Sequence, residues 1–153
     1  MIAERLAART LELVDIPSES RAEERLYAYL LQALAGAELV ELGDGCLLAR
    51  PPGVRPVALL AGHTDTVPAQ GNLPGSRDAD RVHGLGSSDM KGGLAVAIEL
   101  VRSGLPYAAL FFPREELPFV DTALTPLVER APEVLDFEVA FVMEPTDCAV
   151  HAG

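Results

Sequence analysis

The residues able to do acid–base or metal chemistry fall at the ends of three apolar runs. PVALLAG (56–62) leads into His63-Thr64-Asp65. YAALFF (107–112) leads, after Pro-Arg, into Glu115-Glu116. EVAFVM (138–143) ends in Glu144. An imidazole and several carboxylates gathered at one place raise one another's acid pKa values unless cations neutralise them. A mixed nitrogen and oxygen donor set suits zinc, cobalt or manganese better than calcium. His63 and Asp65 lie two apart, so in extended chain they point the same way and Asp65 can orient the imidazole, directly or through a metal site. Glu115 and Glu116 are adjacent and reach one site only if the chain turns there, which PREELP permits. Taken singly, each residue has a plainer explanation: a strand-end histidine, a solvated glutamate pair, a terminator before Pro145. The joint pattern is what calls for a cation.

A fourth contributor comes from GLGSSDMKGG (84–93). Its glycines suggest a phosphate loop, but Asp89 stands where a dinucleotide fingerprint needs its third glycine, and no GK[ST] ending follows. A carboxylate there repels phosphate. It is favourable at a helix start, and the flanking glycines allow the tight bend that brings Asp89 to its neighbours. Lys91, the chain's sole lysine, reads as a helix-surface residue or the partner of a nearby acid. Ser87 and Ser88 lack the His–Asp arrangement of a hydrolase triad. His83, His151, Asp44, Asp78, Asp80, Asp121 and Asp147 read as surface or turn residues.

These side chains need a scaffold whose strand ends converge. Helical spacing marks AERLAARTLELVDI, ending before Pro17, and SRAEERLYAYLLQALAG, with Ser18 or Ser20 as its cap and Gly36 as its stop. AELVEL and CLLAR, split by Gly43-Asp44-Gly45, form a short hairpin. The three apolar runs lack alternation, as strands buried on both faces do. HTDTVPAQGNLPGSRDAD is a long loop of the kind that carries function. MKGGLAVAIELVRSG is a helix, and DTALTPLVERAPEVL is helical with interruptions at Pro126 and Pro132. Alternating strands and helices give α/β: a three-layer α/β/α domain around a largely parallel sheet, whose ligands sit outside the carboxyl ends of the strands.

The totals exclude several classes. A formal net charge of −11 over 153 residues argues against nucleic-acid and anionic-membrane partners. Two distant cysteines, Cys46 and Cys148, make neither a disulfide framework nor a sulfur-ligated zinc site, and read as small buried residues in a reducing, cytoplasmic setting. No run approaches the roughly 20 apolar residues of a membrane helix.

In order and spacing, HTD, GLGSSDMKGG, EE and MEPT resemble the dinuclear-zinc amidohydrolase and peptidase family, which includes succinyl-diaminopimelate desuccinylase, acetylornithine deacetylase, aminoacylases and glutamate carboxypeptidases. GHTDTVPAQGNLPG, SSDMKGG and MEPTD look most like the desuccinylase branch, particularly its actinobacterial-type members. The resemblance implies roles. His63 and Glu144 would bind one metal, Glu116 the second, and Asp89 would bridge them, with a cis peptide expected after it. Asp65 would support the metal site, and Glu115 would be the general base. It implies two Zn2+ per complete site, with Co2+ or Mn2+ as substitutes, a small N-acyl amino acid substrate, and a homodimeric full-length enzyme. Family members are longer, so residues 1–153 are expected to be the N-terminal part of a catalytic domain. An inserted lid or dimerisation domain and a C-terminal catalytic segment, with a histidine for the second metal, would lie outside. His151 does not match that histidine. Leu117-Pro118-Phe119 also departs from the small residues common in relatives. Such a fragment is expected to have little activity alone; a non-catalytic metal-binding module is the alternative.

Overall fold

Apolar residues at helical spacing form α1 (Ile2–Val14) and α2 (Glu24–Ala33), which bury Leu13 and Val14, and Leu26 and Leu30, respectively. The computed structural model describes all residues except Cys148 and Gly153. Neither Ser18 nor Ser20 caps α2, which begins at Glu24 without a side-chain cap. Ser18 is buried, and the Ser20 hydroxyl is turned toward Asp65.

The hairpin forms as the sequence indicates. Strands β1 (Glu38–Gly43) and β2 (Cys46–Arg50) pair antiparallel across Gly43-Asp44-Gly45, all three at positive φ. Strand β3 (Ala58–His63) is buried throughout. The end of the long loop forms β4 (Ser76–Arg77), which pairs antiparallel with β5 (Val82–His83) in the extended stretch just beyond it. Helix α3 (Gly92–Arg102), strand β6 (Tyr107–Phe112), helix α4 (Leu124–Arg130) and strand β7 (Val139–Val142) complete the chain. Pro126 does not interrupt α4, because it lies in the first turn, where a missing N–H costs nothing. Pro132 does end it, opening a separate 3₁₀ turn, Pro132–Leu135.

The main sheet has the order β1-β2-β6-β3-β7. Strands β6, β3 and β7 are mutually parallel, and only β2 opposes the common direction. Successive residues feed opposite faces. Leu60 packs with α1, α2 and α3 through Leu13, Leu30 and Leu94. Its neighbours Leu59 and Ala61 pack with Leu127 of α4 and Val134 on the other side. This is the three-layer α/β/α arrangement, with the sheet mixed and mostly parallel.

One strand departs from expectation. EVAFVM has the composition of a buried strand, yet all four residues of β7 are exposed. β7 pairs with β3 along one edge only, and none of its residues belongs to either buried core cluster. Such an apolar edge is a template for further pairing.

Leu60 and Phe141 sit side by side in register, Leu60 buried and Phe141 47% exposed. Leu60→Ala is therefore expected to cost about 2–5 kcal/mol. Phe141→Ala should cost less than about 1 kcal/mol, within the usual range for exposed positions. Urea unfolding of the two variants checks the contrast.

Candidate metal centre

The carboxyl ends of β3, β6 and β7 lie together because the strands are parallel and in register. His63 is opposite Phe112, and the Thr64 N–H donates to the Phe112 carbonyl at 2.9 Å. The Met143 N–H donates to the Ala61 carbonyl at 2.9 Å, which carries Glu144 to the His63 end of the sheet.

Asp89 arrives from the glycine stretch. Ser87–Lys91 forms a wide π-type turn, and the Asp89–Met90 peptide is cis, as the resemblance implied. Gly86 has φ +74°, and a Cβ there would lie 2.8 Å from the Thr66 Cγ2. A Cβ on Gly92 would lie 2.9 Å from the Ser87 carbonyl oxygen. Both positions require glycine for the turn to close.

The side chains converge on the His63 imidazole. Its Nε2 is 2.8 Å from an Asp89 oxygen and 3.8 Å from a Glu144 oxygen. His63, Asp89 and Glu116 each present a ligand atom within 4.8 Å of the others'. On the far side of the ring, Nδ1 lies 2.9 Å from the Asp65 backbone carbonyl and 3.4 Å from its carboxylate. The main chain of Asp65 is thus the closer support for the ring.

The Asp65 carboxylate is itself held by three donors. The Ser20 hydroxyl and the Glu116 N–H donate to Oδ2 at 2.7 and 3.1 Å, and the Glu115 N–H donates to Oδ1 at 2.9 Å. The chain turns immediately after β6, with Arg114 at φ +65°, so that two successive N–H groups face one carboxylate. That turn is the one the adjacent glutamates needed. Glu116 joins the group around His63. Glu115 is exposed and lines, with Glu144 and Val142, a cavity of about 390 Å3.

The electrostatics show crowding without cations. Burial opposes charge on His63, but hydrogen bonding to Asp65 and Asp89 and the Glu144 charge outweigh it and push the imidazole up to about 9. Burial, with Asp89 and Glu115 nearby, pushes Glu144 up to about 7 against the pull of His63. Glu116 is raised by burial and by Asp89. Asp65 is also buried, yet its contacts with His63, Ser20 and the two N–H groups hold it below the usual range. The His63 imidazole with the Asp89 and Glu116 carboxylates forms a donor set that fits a divalent cation, and a Glu144 oxygen lies 3.8 Å from the imidazole Nε2.

Sequence reading missed two residues. Ser20 gave no local signal, because only the tertiary fold brings it to Asp65. Lys91 is not on a helix surface: it is 2% exposed, its Nζ donates to the Ile16 carbonyl at 2.7 Å, and burial pushes its pKa down to about 8. Elsewhere, His83 pairs with Asp78 on the exposed β4–β5 hairpin, and His151 is exposed. Cys46 is buried as expected, its thiol pushed up to about 11 by burial, while Cys148 lies outside the described residues.

Residues 59–152 match the model of peptidase family M20/M25/M40. The chain belongs to this family. Among curated proteins it is 37% identical to a Mycobacterium tuberculosis protein named as a succinyl-diaminopimelate desuccinylase, over 94% of this chain and 43% of the relative. It is 29% identical to N-acetyl-L-citrulline deacetylase of Xanthomonas campestris, over 85% of this chain and 37% of the relative. Among solved structures it resembles a dinuclear metal-binding M20 peptidase of Bacillus subtilis, with a TM-score of 0.62 at 19% identity, over 91% of this chain and 42% of that one. The M20 chain described here therefore spans less than half the length of these relatives. No helix among the described residues is long and apolar enough to cross a membrane.

The shifted groups fix a pH dependence for the cation-free M20 chain. The folded-state value of His63, about 9, lies above its ordinary 6.5, so its contribution is complete below pH 6.5 and is lost as pH rises toward 9. Glu144, at about 7 against 4.5, favours the folded state while protonated, so its contribution also falls with rising pH. Lys91 acts with the opposite sign, but only above about pH 8. Urea unfolding in the presence of a chelator is expected to show stability falling between pH 6.5 and 8. Asp89→Asn, which removes a charge that raises both groups, should flatten that slope.

Proposed function

We propose that this chain is the N-terminal part of the catalytic domain of a zinc-dependent amide hydrolase whose substrate is N-succinyl-LL-diaminopimelate. The lid or dimerisation domain and the C-terminal catalytic segment would belong to the remainder of a longer, cytoplasmic, homodimeric protein. The observation that carries the metal-hydrolase reading is the convergence of His63, Asp89, Glu116 and Glu144 at parallel strand ends, with Glu115 beside them. The substrate rests on likeness to the mycobacterial protein and on the GHTDTVPAQGNLPG, SSDMKGG and MEPTD stretches.

His63, Asp89 and Glu144 would hold one zinc; Asp89 would bridge to a second, held by Glu116. Bound cations supply Lewis-acid activation of the amide carbonyl and of water. The chain's own groups supply the rest. Asp65 keeps the His63 Nδ1 engaged, so that Nε2 faces the donor cluster. Glu115 takes the proton of the attacking water and returns it to the amine that leaves. The products are succinate and LL-diaminopimelate, as in lysine biosynthesis through diaminopimelate. A second reading, a deacylase for another N-acyl amino acid such as N-acetylcitrulline or N-acetylornithine, is favoured by the likeness to the Xanthomonas deacetylase. In the third reading, a metal-binding module without turnover, Glu115 has no catalytic function.

Calorimetric titration of this chain with zinc is expected to show one tight site per chain and a second, weaker one that lacks a full donor set. Asp89→Asn should weaken both. Two equally tight sites, or none, would overturn the ligand assignment. In the longer protein containing this chain, hydrolysis of N-succinyl-LL-diaminopimelate should exceed that of N-acetylcitrulline and N-acetylornithine in kcat/KM. Glu115→Gln should cost about 10²–10⁴-fold in kcat while leaving zinc affinity unchanged. A kcat insensitive to Glu115→Gln removes the base from the mechanism.

A further inference from the structure

Met90 follows Asp89 in the chain and is buried, only 1% exposed. Its Sδ accepts from the main-chain N–H of His63 at 3.2 Å. The β3–β7 ladder stops short of that N–H: its last paired residues are Ala61 and Val142, and the Met143 N–H donates to the Ala61 carbonyl at 2.9 Å. His63 therefore ends its strand on a thioether where a neighbouring strand would supply a carbonyl.

Glycines make room for this side chain. A Cβ on Gly62 would overlap the Met90 Cε and lie 2.9 Å from Sδ, and a Cβ on Gly93 would lie 2.7 Å from Cε. A side chain at 62 has to move the sulfur. The turn that carries Asp89 is otherwise tied elsewhere. The Lys91 Nζ donates to the Ile16 carbonyl at 2.7 Å, just past α1, and the Lys91 N–H donates to the Gly86 carbonyl at 2.8 Å, closing the turn on itself. Among the described residues, the Met90 sulfur makes the one hydrogen bond between residues 87–91 and the main chain of β3.

Resting on the metal-hydrolase reading of His63 and Asp89, we propose that Met90 is a positioning residue of the metal centre. Its sulfur fixes the His63 main chain and the Asp89 turn to each other, so that imidazole and carboxylate present their donors together. The His63 Nε2 and an Asp89 oxygen lie 2.8 Å apart, and one side chain holds the backbone under both. Packing alone does not call for sulfur. An unbranched apolar side chain of equal length fills the same notch, but it accepts no hydrogen bond and leaves a buried N–H without a partner.

The test exchanges the sulfur for a methylene. The chain has three methionines. Met1 is 98% exposed, and Met143→Leu removes the third, so norleucine incorporation in that background changes the interior at Met90 alone. Calorimetric titration should show the norleucine form binding zinc at the tight site about tenfold or more weaker than the methionine form, as when a group supporting a metal ligand is removed. Selenomethionine, whose selenium still accepts, should restore the affinity. Before zinc is added, the His63 amide proton should move upfield in the norleucine form, while the Leu59 and Leu60 amides keep their positions. Equal zinc affinity in the methionine and norleucine forms, or an unmoved His63 amide, would overturn the positioning role and leave the metal-hydrolase reading standing. Absence of zinc binding by the methionine form would overturn that reading, and the positioning role with it.

Discussion

The buried Asp65 carboxylate holds the site together. It draws in the Ser20 hydroxyl from the segment before α2, and the Glu115 and Glu116 N–H groups from the turn after β6, while its own carbonyl supports the His63 ring. Three stretches of chain far apart in sequence are thereby fixed around one acid. A buried carboxylate is tolerable only when its oxygens are satisfied by donors, and here two of the three donors are main-chain groups of the turn that carries the candidate site residues Glu115 and Glu116. Satisfying Asp65 therefore also fixes the turn after β6 beside the His63 ring. The parallel register of β6, β3 and β7 does the remaining work, bringing His63, the Glu115-Glu116 turn and Glu144 to a common edge.

Much of this was legible in the sequence. The apolar runs 56–62 and 107–112 read as interior strands, and β3 and β6 are buried accordingly, with the polar residues past their ends at the sheet's edge. The glycines of GLGSSDMKGG announced a tight turn around Asp89, and positions 86 and 92 show why side chains are excluded there. The expectation of a cation came from crowding, because acids gathered at one place raise one another's pKa values, and the individual ligand roles came from the family resemblance.

What escaped was governed by contacts without a sequence period. Ser20 had the credentials of a helix cap, and the buried Asp65 outcompeted the helix for its hydroxyl. Lys91 looked like a polar residue opening an exposed helix face. Its long stem instead runs inward to the carboxyl end of α1, a choice that depends on where α1 packs. The composition of β7 is that of a core strand, but burial belongs to the assembly around a strand and not to its residues. Pro126 shows the reverse error: a residue that normally breaks helices sits where a helix has no bond to lose.

Two of the three donors on Asp65 are main-chain groups, and that has an evolutionary consequence. The clasp does not read the side chains at 115 and 116, so either glutamate can be exchanged without unmaking the architecture beneath it. Reactivity can drift, be retuned or vanish in a descendant lineage while the scaffold persists unaltered. Proline is the exception at both positions, since it alone deletes the donor, and its arrival would dismantle the framework and the chemistry together.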